Sequence, residues 1–256
     1  GLGASAFGLN AQALGMNAVA VGADSVAGYE SSTAVGGTII DADGVAHNTQ
    51  ANDVGTSAFG AGARADYYGG VAIGVMSWSE GSFATAIGTN SHASGFMSMA
   101  VGNNARTTSP FAMAIGSFSL ADGWNSMAVG LGAWARGWFS SAMGSNAVAG
   151  FYSTAVGAGS AANGEGGVAI GSNAMVLDWT EEYGGDEFVY RGTAVGTESG
   201  AGFEGAALGY NAWARNTGSA AFGANAWAQA NLGVAIGNFA QVTDTGDNSV
   251  ALGAGS

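Results

Sequence analysis

Four aspartates lie in two short Asp/Gly-rich segments whose carboxylate oxygens could bind calcium. They are Asp41, Asp43, Asp244 and Asp247. Calcium takes about six to eight oxygen ligands, and neither segment completes a twelve-residue loop with a closing bidentate glutamate. Asp and Gly are also the residues that tight turns require. We therefore expect turns at both segments and treat the four aspartates as weak calcium candidates only.

The residues of the chain do not form a recognisable catalytic set. The two histidines, His47 and His92, are far apart in sequence, and no nucleophile, base and orienting group can be placed around either of them. The segment 200–205 matches a dinucleotide-binding string, but no helix is expected after it. We expect no enzymatic activity and no cofactor.

The segment 175–191 is the most individual stretch of the chain, because it is rich in acidic and aromatic residues. Long loops on rigid scaffolds often bind partners, whereas the alternative is a loop that packs on its own or a neighbouring subunit. Two tryptophans further along occupy equivalent outward positions. Our partner-binding candidates are Trp179, Glu181, Glu182, Tyr183, Asp186, Glu187, Trp213 and Trp227.

Composition excludes several classes of partner. The net charge is -13 and the chain has no lysine, so it would repel the phosphates of nucleic acids and anionic lipids. Cysteine is absent, which excludes disulfides and thiolate metal sites. No apolar run is long enough for a transmembrane helix, so we expect no direct membrane insertion. Because the chain begins with Gly1, we interpret it as a processed or excised piece of a longer protein.

A repeat of fourteen residues organises the chain. A triplet of alanine, one bulky apolar residue and glycine recurs without a break from Gly60 to Gly144, and the chain holds 17 copies in all. We therefore treat residues 1–256 as a single repeat domain. Two insertions, at about 37–50 and 175–191, interrupt the period. Asp43-Gly44 lies between two apolar runs of the first insertion and predicts a small hairpin.

Each repeat predicts two short strands, because both of its patterns alternate with period two and leave no room for a helix. Identical units can stack so that each strand pairs in parallel with its counterpart in the next repeat, which predicts a parallel β-solenoid. In the Ala-x-Ala strand we expect the alanines to face inward. In the other strand, one face is restricted to bulky apolar residues and the other to alanine and glycine. Both faces must therefore be covered. We expect its bulky row inside each coil and its Ala/Gly row at a seam with another copy.

Aromatic residues recur seven to nine places after the repeat glycine and should stack as a ladder along one edge. An exposed ladder would bind a partner, whereas a ladder at a subunit boundary would be structural, and we favour the boundary. The ladder consists of Tyr67, Tyr68, Phe83, Phe96, Phe111, Trp124, Trp138, Phe139, Phe151 and Tyr152.

The recurrent motif resembles the head repeat of YadA-like trimeric autotransporter adhesins across nearly the whole chain. The resemblance implies an all-β, left-handed parallel β-roll of about 17 fourteen-residue coils, assembled as a parallel homotrimer. It also implies display on a Gram-negative outer surface by a coiled-coil stalk and a membrane barrel. The motif is clearest in Asn17-Ala18-Val19-Ala20-Val21-Gly22, Asn125-Ser126-Met127-Ala128-Val129-Gly130 and Asn248-Ser249-Val250-Ala251-Leu252-Gly253.

These observations predict a non-enzymatic surface adhesin head. It would attach to host, matrix or neighbouring cells through a rigid trimeric rod, and its ligand would be an extracellular protein or glycan. Three copies of each weak surface site would provide avidity. The alternative is a phage tail-fibre receptor-binding segment or a self-assembling extracellular structural filament.

Overall fold

A computed structural model of the chain describes residues 1–176, 191–243 and 247–256. The described residues form short strands and turns and contain no helix. They divide into two compact units, residues 1–125 and 126–256. Each unit is a stack of flat coils, and each coil contributes one strand to each of two parallel sheets.

In residues 1–125, three-residue strands form the long-strand sheet and two-residue strands form the short-strand sheet. The long-strand sheet contains β1 (Ser5–Phe7), β3 (Val19–Val21), β5 (Thr33–Val35), β9 (Ser57–Phe59), β11 (Val71–Ile73), β13 (Thr85–Ile87), β15 (Met99–Val101) and β17 (Met113–Ile115). The short-strand sheet contains β2 (Gln12–Ala13), β4 (Val26–Ala27), β8 (Gln50–Ala51), β10 (Arg64–Ala65), β12 (Trp78–Ser79), β14 (His92–Ala93), β16 (Arg106–Thr107) and β18 (Leu120–Ala121).

Residues 126–256 repeat the same arrangement. Their long strands are β19 (Met127–Val129), β21 (Ser141–Met143), β23 (Thr154–Val156), β25 (Val168–Ile170), β27 (Thr193–Val195), β29 (Ala206–Leu208), β31 (Ala220–Phe222), β33 (Val234–Ile236) and β35 (Val250–Leu252). Their short strands are β20 (Trp134–Ala135), β22 (Val148–Ala149), β24 (Ala161–Ala162), β26 (Met175–Val176), β28 (Gly200–Ala201), β30 (Trp213–Ala214), β32 (Trp227–Ala228) and β34 (Gln241–Val242).

Strand pairing follows the sequence period. β11 pairs with β13 in parallel, so that Ala72 lies opposite Ala86, fourteen residues further along the chain. The long insertion does not disturb this register, because Val168 on β25 lies opposite Thr193 on β27. The predicted parallel β-solenoid is therefore confirmed, with about 16 coils.

The interior of the coils is built mainly from alanine and serine, with a few threonines and valines such as Thr107 and Val176. The central alanine of each long strand from β3 to β33 is fully buried, as are both alanines of Ala133-Trp134-Ala135. Inward-facing alanines in the Ala-x-Ala strand are thus confirmed. The prediction that the bulky row of the long strand lies inside the coil is wrong. Ile73 and Met143 are each 40% exposed, because the thin coil has room between its sheets only for small side chains.

The short distance between adjacent coils requires glycine at the last position of the repeated triplet. Gly74 has a φ of 130°, and a Cβ placed on it would lie 2.6 Å from the carbonyl oxygen of Gly88 in the next coil. A side chain would therefore clash with the adjacent backbone and would also be strained at this φ. Buried serines complete the turn, since Ser77 Oγ donates to the Gly74 carbonyl oxygen at 2.9 Å. This crowding explains why glycine recurs at this point of the repeat.

The first insertion forms the predicted hairpin. β6 (Ile39–Ile40) pairs with β7 (Ala46–His47) in the antiparallel direction, and the turn between them contains Asp43-Gly44. The Asp41 amide donates to the Val45 carbonyl oxygen at 3.0 Å. The hairpin therefore leaves the two parallel sheets and returns to them at β8.

Candidate interaction surfaces

The outer side of the long-strand sheet is apolar in both units, and we call it the apolar face. It consists of the first and third residues of every long strand, such as Val71 and Ile73 on β11. These positions hold Val, Ile, Leu, Met, Phe, Ala, Ser and Thr, and none of them holds a charged residue or histidine. A largely apolar, exposed row of side chains is typical of an interaction surface.

In several coils, charged residues lie on or next to the short-strand sheet. Arg64 and Arg106 are exposed on the outer side of the short-strand sheet, and Asp66, Glu80 and Arg136 follow short strands. Charge on one face and its absence on the other give each unit two chemically distinct sides. The apolar face is the side that favours contact with another apolar surface.

The predicted aromatic ladder is present in residues 1–125. Successive rings pack edge to face, with centroid distances of 5.2 Å from Tyr68 to Phe83, 6.2 Å to Phe96, 5.6 Å to Phe111 and 6.1 Å to Trp124. Edge-to-face pairs add about 0.5–1.5 kcal/mol each beyond the burial of their area. In the single chain these rings remain 41 to 51% exposed. The ladder is therefore ordered before any partner covers it.

Four of the predicted ladder residues, Phe83, Phe111, Phe139 and Tyr152, adopt a backbone conformation that disfavours them. Phe83 and Phe111 have φ values of 57° and 58°, in the left-handed region. This conformation costs an L-residue roughly 1–2 kcal/mol, and a bulky side chain is unusual there. Equivalent turns carry Asn17 and Gly69, which tolerate it readily. Because the chain places aromatic residues here despite this backbone strain, the ladder is expected to have a role beyond closing the turn.

In residues 126–256, two further pairs of predicted ladder residues are in contact. Trp138 packs edge to face on Phe151 at 6.3 Å, and Phe139 stacks on Tyr152 at 5.7 Å. Tyr67, in contrast, is not part of the ladder among the described residues. Its ring lines a separate cleft on the short-strand side of the turn.

Sequence reasoning missed a polar stack that crosses three coils. The Arg64 guanidinium lies 5.2 Å from the Trp78 ring centroid, and Trp78 stacks on His92 at 4.9 Å with an interplanar angle of 8°. Asp66 accepts hydrogen bonds from Arg64 Nε at 2.6 Å and Trp78 Nε1 at 2.7 Å, while Glu80 pairs with His92 at 2.7 Å. The signal was available, because these residues are fourteen positions apart.

Trp213 and Trp227 form a stacked pair, as their spacing of one coil predicts. Their centroids are 6.5 Å apart with an interplanar angle of 29°, and both side chains are half-buried. Trp213 Nε1 donates to Asn211 Oδ1 at 2.9 Å. Trp227 Nε1 is buried and has no partner among the described residues. A buried donor without a partner costs about 1–3 kcal/mol.

Asp41 is already engaged within the hairpin. Its carboxylate lies 2.8 Å from His47 Nε2 and accepts from the amides of Asp43 and Val45 at 3.0 and 2.8 Å. The hydrogen bond from His47 is the main cause that lowers the pKa of Asp41, followed by the amide of Val45. The chain uses this carboxylate to fix the turn, and Asp43 remains exposed.

The other predicted site residues are placed as follows. Asp247 is exposed, while Asp244 lies outside the described residues. Trp179, Glu181, Glu182, Tyr183, Asp186 and Glu187 also lie outside them. In the described part of the chain no three His, Asp or Glu side chains are grouped to hold a metal ion. Segment 200–205 is followed by strand β29 rather than a helix, as expected.

Parallel stacked coils with one apolar side define a repetitive β-solenoid domain. The model of the YadA head domain repeat matches residues 1–25, 68–91, 93–119, 121–147, 149–174, 201–226 and 228–256. The match covers more than half of the chain, and the chain belongs to this family. No curated protein matches the sequence.

Membership of the family establishes the general class of the domain. YadA-type heads are structural adhesin domains of trimeric, surface-exposed autotransporters, and the family is not an enzyme family. The part of the chain that the structure describes contains no helix able to cross a bilayer.

Proposed function

We propose that this chain is a non-enzymatic adhesin head that acts as a parallel homotrimer on the outer surface of a Gram-negative cell. Parts of the protein beyond this sequence would anchor it. The left-handed sense of the coils and the continuity of residues 1–256 as one repeat domain belong to the same proposal. The observation that supports it most strongly is the charge-free apolar face in a chain of the YadA head family.

In the proposed trimer, each copy covers the apolar face of its neighbours. Burial of apolar surface contributes about 25 cal/mol per Å², and Ile73, Ile87 and Met143 each retain 36 to 40% of their surface for it. The ladder from Tyr68 to Trp124 would lie at the boundary between copies, where further burial offsets the cost of its left-handed backbone. The charged side of each coil would remain in water.

The adhesive contacts are assigned to the outward surfaces of the trimer. Trp213 and Trp227 form one candidate, because two stacked indoles offer a flat apolar platform. Trp179, Glu181, Glu182, Tyr183, Asp186 and Glu187 remain candidates in the acidic insertion. The ligand would be an extracellular protein or glycan, and three copies of each contact would increase the avidity.

Adhesion can be measured with beads coated with the full chain on surfaces bearing collagen, fibronectin, laminin or mucin. We expect the beads to resist shear on at least one surface, and Trp213→Ala with Trp227→Ala to reduce the attached fraction. Leu120→Ala, an outward substitution away from the tryptophans, serves as the control. Absence of attachment to all four surfaces and to cultured cells would contradict the adhesin assignment.

A further inference from the structure

A polar cleft of about 400 Å³ lies on the outer side of residues 1–125, where three coils meet at one turn. Its size is within the roughly 300–1,000 Å³ that is typical of small-ligand sites. Six residues line it, and they are Tyr29, Asn52, Asp53, Arg64, Asp66 and Tyr67. The predicted site residues do not include any of them.

The walls of the cleft are two tyrosines placed by the strand register. β4 pairs with β8, and β8 pairs with β10, so Tyr29, Asp53 and Tyr67 each lie three residues after the same register position in successive coils. The coils on either side carry Gly15 and Gly81 at this position. A single coil with a short side chain therefore separates two exposed aromatic rings.

The separation suits one ring-shaped ligand. Strands about 4.8 Å apart place two coils roughly 9.6 Å apart. A ring in van der Waals contact on both faces needs about 3.5–4.0 Å on each side. The space between Tyr29 and Tyr67 thus admits one six-membered ring, with Asp53 beneath it.

The floor of the cleft is fixed by hydrogen bonds. Asp66 accepts from Arg64 Nε at 2.6 Å, Asn52 Nδ2 at 2.7 Å and Trp78 Nε1 at 2.7 Å. The Asp66 side chain is only 11% exposed, so these donors hold it in place. Asp66 in turn orients Arg64 and Asn52 before any ligand arrives, which lowers the entropic cost of binding.

Several polar groups at the cleft remain available to a ligand. Asp53 Oδ1 accepts from the Val54 amide at 2.7 Å, which leaves Oδ2 as an acceptor. Within the described part of the chain, Arg64 uses only its Nε in a hydrogen bond, and the Oδ1 of Asn52 accepts none. Together with the hydroxyls of the tyrosines, these groups provide both donors and acceptors around one ring.

The charge at the cleft selects the class of ligand. Arg64 and Asp66 form an ion pair that offsets both charges, while the Asp53 carboxylate has no cationic partner among the described residues. An acidic sugar or a phosphate would meet this uncompensated carboxylate. A neutral pyranose presents hydroxyls at its edge for Asp53, Asn52 and Arg64, and C–H groups on its faces for the two tyrosines.

We propose that this cleft is a binding site for one neutral sugar residue of an extracellular glycan, held between Tyr29 and Tyr67. The proposal rests on the adhesin function proposed above and adds a ligand class and a location to it. The site lies within a single chain, so each copy in an assembly would carry one. Repeated sites of low affinity match a repetitive glycan surface.

The test uses the full chain on a microarray of neutral, sialylated and sulfated oligosaccharides, followed by calorimetry with the glycans retained. We expect retention of neutral glycans, and a loss of affinity of at least about tenfold in Tyr29→Ala and in Tyr67→Ala, each removing one wall. Asp53→Asn should weaken binding too, since asparagine keeps the turn but loses the carboxylate. Tyr210→Ala, an exposed tyrosine outside both the cleft and the aromatic ladder, should bind as the parent does.

Three results would overturn the proposal. They are retention of no neutral glycan, retention of sialylated or sulfated glycans alone, and neutral binding that survives both tyrosine substitutions. Circular dichroism of each variant verifies that its strands are intact, and exposed tyrosines are not expected to control folding. Beads that still attach to matrix proteins after Tyr29→Ala would leave the adhesin function standing and remove only this site.

Discussion

Ala72 and Ile73 are consecutive residues of β11, yet Ala72 is fully buried whereas Ile73 is 40% exposed. The alternation of a β-strand sends the two side chains to opposite sides of the sheet. Each coil thus keeps its smallest residue inside and presents its largest one outside. This arrangement inverts the usual pattern, in which large apolar side chains fill the interior.

Introducing charge on the apolar face should weaken self-association. We expect Ile73→Asp with Ile87→Asp to lower the association constant of the trimer by at least about tenfold, because a carboxylate would have to be buried without a partner. Sedimentation equilibrium measures the effect. Arg106→Asp, an exposed change on the opposite side of the coil, is the matched control. Equal association of both variants would show that the apolar face is not an interface.

Enlarging the interior alanine should destabilise the coil itself. Ala86 is fully buried, so Ala86→Leu would overpack the space between the sheets and cost about 1–3 kcal/mol or more. Thr85→Leu on the same strand faces outward and should cost much less. Chemical denaturation followed by circular dichroism compares them. A loss no greater for Ala86→Leu than for Thr85→Leu would contradict the assigned inward face.

A side chain at the repeat glycine should be strongly unfavourable. Gly88 has a φ of 125°, and a Cβ there would lie 2.5 Å from the Gly102 carbonyl oxygen. We expect Gly88→Ala to cost about 1–3 kcal/mol of unfolding free energy through strain and steric clash. Gly55→Asn is the control, since a Cβ at Gly55 meets no atom within 4 Å and asparagine tolerates its φ of 68°. Thermal melting of both variants provides the measurement.

The hairpin should respond to acid through Asp41. Its pKa is lowered in the folded hairpin, chiefly by the hydrogen bond with His47. The ionised carboxylate therefore stabilises the folded hairpin above the ordinary aspartate pKa of about 4, and this contribution is lost as pH falls through the lowered value. We expect faster exchange of the Asp43 and Val45 amides, after correction for intrinsic rates, only below about pH 4. Asp41→Asn should abolish that pH dependence.

The aromatic ladder should matter more for assembly than for the single chain. In Phe111→Asn, relief of roughly 1–2 kcal/mol of left-handed strain offsets the loss of two ring contacts worth about 0.5–1.5 kcal/mol each. Analytical ultracentrifugation should then show weaker trimers, while Leu120→Asn on the opposite side should not. If Phe111→Asn leaves the self-association constant unchanged, the ladder does not lie at the subunit boundary.

Much of the fold was readable from the fourteen-residue period. The period predicted parallel strands, their register and the contact of Phe83 with Phe96, because residues at the same or adjacent repeat positions of stacked coils become neighbours. Tight-turn residues likewise predicted the hairpin at Asp43-Gly44. These features follow from local sequence and repetition alone.

The alternation of residue types along the long strand defines two faces. It does not show which face points into the coil. The bulky row was assigned to the interior because large apolar residues usually fill cores. The better signal was the uniformity of the alanine, since the narrowest space tolerates the least variation. The third position of the long strand holds side chains of different size, such as Ile73 and Phe59, because an outer surface tolerates such variation.

The cleft and the polar stack were missed for a different reason. Tyr29 and Tyr67 are separated by the first insertion, so their common register appears only once the hairpin is placed outside the coil. Arg64 and Trp78 share a repeat position. The sequence predicted that this position faces outward, but not that its side chains contact each other. Contacts between outward side chains depend on rotamers, which the period does not specify.

The mass of the chain in solution tests the central claim most directly. Light scattering coupled to size-exclusion chromatography of the full chain should give three times the 24.9 kDa of one copy, with the double variant Ile73→Asp and Ile87→Asp shifted toward one copy. A folded, soluble species of 24.9 kDa at all concentrations would contradict the account, because its apolar face would then be stable without a partner.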